Sequence, residues 1–125
     1  MESGIPGLLY KLALLVVIAG HIFFAYGQWF KWPKLCEKLT NLVGEEVEKT
    51  AFLGRSFASY NFSIGCGLLL CMVFLDDVTV EAVVLIFVVA TAFVGAKGTS
   101  GNSILLLRLV PAAVALLLLI VIRLF

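Results

Sequence analysis

The sequence predicts an all-α integral membrane protein: a four-helix bundle with an interfacial amphipathic helix between spans one and two. Three observations carry that expectation. Of 125 residues, 62% are hydrophobic and only 14% charged, with a mean hydropathy of +1.14; a soluble domain of this length leaves far more surface to charged groups. The apolar residues fall into four runs, each near the roughly 20 residues that a spanning helix needs. Those runs are continuous rather than alternating, which excludes a closed barrel of short strands.

A single transmembrane domain over residues 1–125 is expected, with the first span at 8–30. Glu2 precedes it, Lys11 sits where its stem can snorkel outward, and no small-x-small cleavage site precedes the tryptophans. The run therefore reads as a retained span rather than a secretory signal. Trp29 and Trp32 mark the headgroup level at its end. Residues 33–49, entered through Pro33, place Leu35, Cys36, Leu39, Leu42, Val43 and Val47 at helical spacing, with Lys34, Lys38, Asn41, Glu45 and Glu48 mostly opposite. That pattern suits a helix lying in the membrane interface.

The second span covers 57–75 and ends at Asp76 and Asp77, a tight polar break before the third at 78–96. Residues 97–103, rich in glycine and serine, form a turn, and the fourth span occupies 104–124. Lys31, Lys34, Lys38, Lys49, Arg55 and Lys97 lie on one side, while Lys11 and Arg123 lie on the other. Cationic loops stay inside, so the long first loop is expected in the cytoplasm and both termini outside.

A net charge of +1 offers no basic stripe to a polyanion, so nucleic acid is not an expected partner. Cys36, Cys66 and Cys71 have neither metal nor redox spacing and imply no disulfide framework. No metal is expected, and no cofactor motif is present.

Unpaired polar groups are costly in hydrocarbon, so their placement is informative. On the long-loop side, span one carries Gln28 and, seven residues deeper on the same face, His21. Span two opens with Ser56, Ser59, Tyr60, Asn61 and Ser63. Thr91 and Gly95 approach that end in span three, and Arg108, then Pro111, in span four. The opposite half is nearly devoid of hydrogen-bonding side chains, with Thr79 and Glu81 at an end.

Four helices agreeing on depth suggest a small pocket lined by His21, Gln28, Tyr60, Asn61 and Arg108, with Ser56 and Thr91 as further ligand-binding candidates. Its apolar floor would take a tail and its polar rim a head group. The plainer reading makes these groups adhesive between helices, the serines with Gly65 and Gly67 allowing close backbone approach. Arg108 could equally snorkel to the interface.

The same residues resemble a family, the small four-span membrane proteins grouped as domain of unknown function 1304. That family carries a histidine in its first span, a glutamate seven residues on and a tryptophan four beyond; here those positions are His21, Gln28 and Trp32. Its Asn-Gln-Gly-x-Tyr-Asn stretch aligns with Ser56, Phe57, Ala58, Ser59, Tyr60 and Asn61. Its Ile-Leu-Leu-x-Gln-x-x-Pro run aligns with residues 104–111, where Arg108 replaces the glutamine. DoxX-like four-span proteins share the coarse organisation. The resemblance implies a four-helix bundle and supplies no activity.

Three functions compete. The first is a protein that binds a lipophilic small molecule, or an accessory subunit in a homo-oligomer or larger membrane complex. The second is a membrane enzyme of isomerase or hydratase type, with His21 as acid or base and Tyr60 and Asn61 positioning an oxygen. The third is a small transporter or pore, disfavoured by the lack of a mid-span carboxylate.

Overall fold

A computed structural model describes residues 4–125; Glu2 lies outside the described residues. Helix α1 (Ile5–Phe30) starts with Pro6 in its first turn, where a missing N–H is harmless. The chain leaves the helix at Lys31, and α2 (Trp32–Leu39) restarts with Pro33 in its own first turn. After Gly44, at φ 60°, comes the short α3 (Glu45–Lys49). Helix α4 (Ala51–Leu70) runs on into a π-helical turn, Cys71–Leu75. Asp77 then caps α5 (Val78–Gly98), its carboxylate accepting from the Thr79 and Val80 amides at 2.9 and 3.3 Å. A second π-turn, Leu105–Leu109, leads into α6 (Val110–Leu124).

The four long helices span 26, 25, 21 and 20 residues, π-turns included, and each is apolar enough to cross a bilayer. The protein is a multi-pass membrane protein. Outward-facing residues such as Leu12, Val16, Phe23, Phe74, Phe87 and Leu117 are apolar and exposed, as a surface in contact with hydrocarbon must be.

Two boundaries differ from expectation. The second spanning helix begins at Ala51 rather than near residue 57. The segment 33–49 forms two helices instead of one. Thr40 takes an extended backbone; its hydroxyl donates to the Cys36 carbonyl at 2.8 Å and accepts from the Leu42 amide at 3.1 Å. A threonine bonded this way offers the chain a turn in place of helix. The two short helices fold onto the bundle end, where Trp32, Cys36 and Val47 form a small core. Ser100 N–H donates to the Leu39 carbonyl at 2.8 Å, tying the α5–α6 turn to α2. Trp32, expected at the headgroup level, is thus buried, while Trp29 remains exposed.

Helix α1 is the hub. Its buried residues Tyr10, Leu14, Val17, His21, Phe24 and Gln28 recur every three or four positions, forming one stripe on a 3.6-residue helix. Helix α4 packs along one side of α1 and α6 along the other, with α5 against α6. The α4 stripe is Gly54, Ala58, Asn61, Gly65 and Leu68. Small residues here let backbones approach: a Cβ on Gly65 would stand 3.3 Å from the Ile18 carbonyl oxygen. Ser56, Ser59 and Ser63 instead lie on the exposed face, and Ser59 donates to the Arg55 carbonyl of its own helix at 3.0 Å. The adhesive role expected of the serines falls to Gly54, Ala58 and Gly65.

The second π-turn has a readable cause. Pro111 has no N–H to give the Leu107 carbonyl four residues back, and the Val110 amide bonds instead to Leu105, five back. The Leu107 carbonyl lies against α1 so closely that a Cβ on Gly20 would meet its oxygen at 2.6 Å.

Candidate ligand-binding cleft

At the long-loop end, the widened turn before α6 carries Arg108 toward α1 and α2. Between these elements lies a cleft of about 260 Å³, lined by Phe24, Gln28, Trp32, Cys36, Leu39, Thr40, Phe57, Gly95, Thr99, Ile104 and Arg108. Its walls are mainly aromatic and aliphatic, and its few polar groups come from four helices, the pattern of a small-molecule site. π-Turns inside α-helices recur at such sites because they displace a side chain from its regular register.

Gln28 is buried and paired. It is 6% exposed and Asn61, on α4, is 4% exposed; Asn61 Nδ2 donates to Gln28 Oε1 at 2.7 Å. Gln28 lines the cleft, and with its oxygen engaged the NH₂ is the group it has left to offer. Thr99 donates to the Gly95 carbonyl at 2.9 Å, and Thr40 to that of Cys36, so both hydroxyl protons are committed. Arg108 reaches Thr91 Oγ1 at 3.4 Å, long for a hydrogen bond, and its Nε is buried without a partner among the described residues.

The expected pocket is only partly assembled. Gln28 and Arg108 line the cleft, and Asn61 supports it from behind. His21 is fully buried but does not line it: Nδ1 donates to the Val17 carbonyl at 2.8 Å, Nε2 has no partner among the described residues, and the Cβ faces Gly65. Tyr60 is 69% exposed and points outward, because one residue of helix phase, about 100°, separates it from Asn61. Ser56 and Thr91 are exposed as well, Thr91 donating to the Phe87 carbonyl at 2.9 Å.

A second polar contact lies at the far end, where little polarity was expected. Tyr10 donates to Glu81 Oε2 at 2.6 Å. Both residues are fully buried, and Glu81 Oε1 has no partner among the described residues. The pair joins α1 to α5, so polarity is not confined to one level of the bundle. The alternation of Glu81 with Leu85, Val88 and Ala92 was the available signal, since it puts the carboxylate on the buried face of α5.

The family model described as a protein of unknown function, DUF1304, matches residues 15–120. The chain belongs to the DUF1304 family. The match covers every residue that lines the cleft and supports this family rather than the DoxX-like proteins. No curated protein and no solved structure matches this DUF1304 chain. Gln28, the position at which the resemblance expects a glutamate, lines the cleft, and Asn61 holds its oxygen.

Proposed function

We propose that this DUF1304 protein binds the polar end of a lipophilic small molecule in the cleft between α1, α2, α5 and the α6 turn. The observation that carries the reading is Gln28, its oxygen held by Asn61, lining a space walled by Phe24, Leu39, Phe57 and Ile104. A side chain fixed from behind loses little entropy on meeting a ligand, which favours binding. At about 260 Å³ the cleft is just under the roughly 300–1,000 Å³ that hold a drug-sized ligand whole. It suits a head group and the first carbons of a chain, with the remainder in the bilayer. By the distribution of Lys and Arg, the cleft faces the cytoplasm. Acid–base catalysis finds less support, because Tyr60 does not reach His21 or the cleft.

Native mass spectrometry of the detergent-purified protein, with extraction of bound molecules, tests the reading. One lipophilic molecule per chain is expected in the wild type and in the outward-facing variant Tyr60→Phe, and its loss in Gln28→Leu. An empty wild type, or a Gln28→Leu variant that keeps its ligand, contradicts it.

A further inference from the structure

Resting on that reading, we infer that the head group is an anion: a carboxylate or a phosphate monoester, held by Arg108 and the Gln28 amide. The inference begins with an imbalance. Arg108 lies in the first turn of the fourth spanning helix and is partly buried; a cation withdrawn from water is costly and is normally met by a carboxylate or by backbone carbonyls. Among the described residues it makes no ion pair; its one side-chain hydrogen bond is the 3.4 Å contact to Thr91, and Nε is buried without a partner.

The rest of the cleft shows the same bias. Asn61 occupies the Gln28 oxygen, which leaves the NH₂ as the group Gln28 can offer. No carboxylate lines the cleft among the described residues, and the hydroxyl protons of Thr40 and Thr99 are spent on backbone carbonyls. The donors that remain free belong to Arg108 and Gln28. A ligand that complements them brings acceptor oxygens and negative charge, and two oxygens on one centre match the guanidinium fork. A neutral alcohol would fill the same space and leave the charge unanswered.

Palmitate, hexadecyl phosphate and hexadecanol share a hydrocarbon chain and differ in the head. Their affinities would be measured in phosphatidylcholine nanodiscs, at a pH where both acids are ionised, for the wild type, Arg108→Gln and Arg108→Lys. The wild type is expected to bind at least one anion ten-fold or more tighter than the alcohol. Arg108→Gln should reduce that preference to near unity, and Arg108→Lys, which keeps charge but loses the fork, should fall between. A preference for palmitate identifies a fatty-acid-like ligand, and one for hexadecyl phosphate a phosphate-bearing lipid. Equal binding of alcohol and anions by the wild type overturns the inference while leaving the cleft a binding site. Survival of the anion preference in Arg108→Gln overturns it too. Failure of all three probes to bind removes the underlying reading as well. Should Arg108→Gln not fold, the wild-type ranking and Arg108→Lys still decide.

Discussion

Asn61 holds Gln28 by a 2.7 Å hydrogen bond across the α1–α4 interface, and both side chains are buried. The bond does two things: it joins the two most extensively packed helices, and it engages the oxygen of Gln28, leaving the NH₂ as the group this cleft-lining side chain can offer. Asn61→Leu should therefore weaken the fold modestly, since interhelical hydrogen bonds in membranes average about 0.6 kcal/mol and reach about 1.7. A double-mutant cycle with Gln28→Leu, read by denaturant unfolding in detergent, is expected to return a coupling in that range. Zero coupling would mean that the bond does not orient Gln28.

At the opposite end, the Tyr10–Glu81 pair predicts an asymmetry. Tyr10→Phe leaves Glu81 without a partner on either oxygen among the described residues, and an orphaned buried polar group costs about 1–3 kcal/mol. Replacing both partners with apolar groups removes that penalty. Tyr10→Phe combined with Glu81→Leu should thus be more stable than Tyr10→Phe alone, as measured by unfolding midpoints. The opposite ordering would show that Glu81 satisfies itself by another route.

Close backbone approach gives a third prediction. A Cβ at Gly20 would meet the Leu107 carbonyl oxygen at 2.6 Å, whereas one at Gly67 meets nothing within 4 Å. Gly20→Ala should destabilise by about 1–3 kcal/mol, as overpacking does. Gly67→Ala should be neutral or stabilising by up to about 1 kcal/mol through helix propensity. Thermal unfolding of the two variants in one detergent separates them.

The Trp32 indole offers a spectroscopic check. It donates to Thr50 Oγ1 at 3.1 Å and lies so near Gly54 that a Cβ there would fall 2.5 Å from the ring. In a Trp29→Phe background, where Trp32 is the one remaining tryptophan, Gly54→Ala should displace the indole and shift its emission. An unchanged spectrum would place Trp32 away from α4.

Sidedness can be read by labelling. With Cys36, Cys66 and Cys71 replaced, an impermeant maleimide should modify Thr79→Cys in intact cells and Glu46→Cys only after lysis. The reverse pattern would invert the orientation and move the cleft to the outer side.

The four spans were legible because continuous apolar runs of about 20 residues match the thickness of a bilayer and are too greasy for water. The burial of His21, Gln28 and Asn61 was legible for a related reason, since polar groups in such runs tend to turn inward. Depth was easier to read than phase. Tyr60 and Asn61 are neighbours at the same level, yet one faces outward and the other α1. The recurrence of Gly54, Ala58, Asn61 and Gly65 at three- and four-residue steps was the clue to that phase. Two features needed three dimensions. Tyr10 and Glu81 lie 71 residues apart, each near the end of its own run, and nothing local links them. The π-turn at Leu105–Leu109 follows from Pro111 only once α1 is known to press against Leu107.

Gln28 is the single glutamine in the chain, so its side-chain amide gives one assignable pair of NMR signals. The most direct test of a ligand site in the cleft is to follow that amide in nanodiscs while palmitate, hexadecyl phosphate and hexadecanol are added in turn. At least one probe is predicted to shift the Gln28 signals while the side-chain amides of Asn41 and Asn102 stay in place. Signals from Gln28 that ignore all three probes, or that move no more than those of Asn41 and Asn102, would contradict a binding site in the cleft.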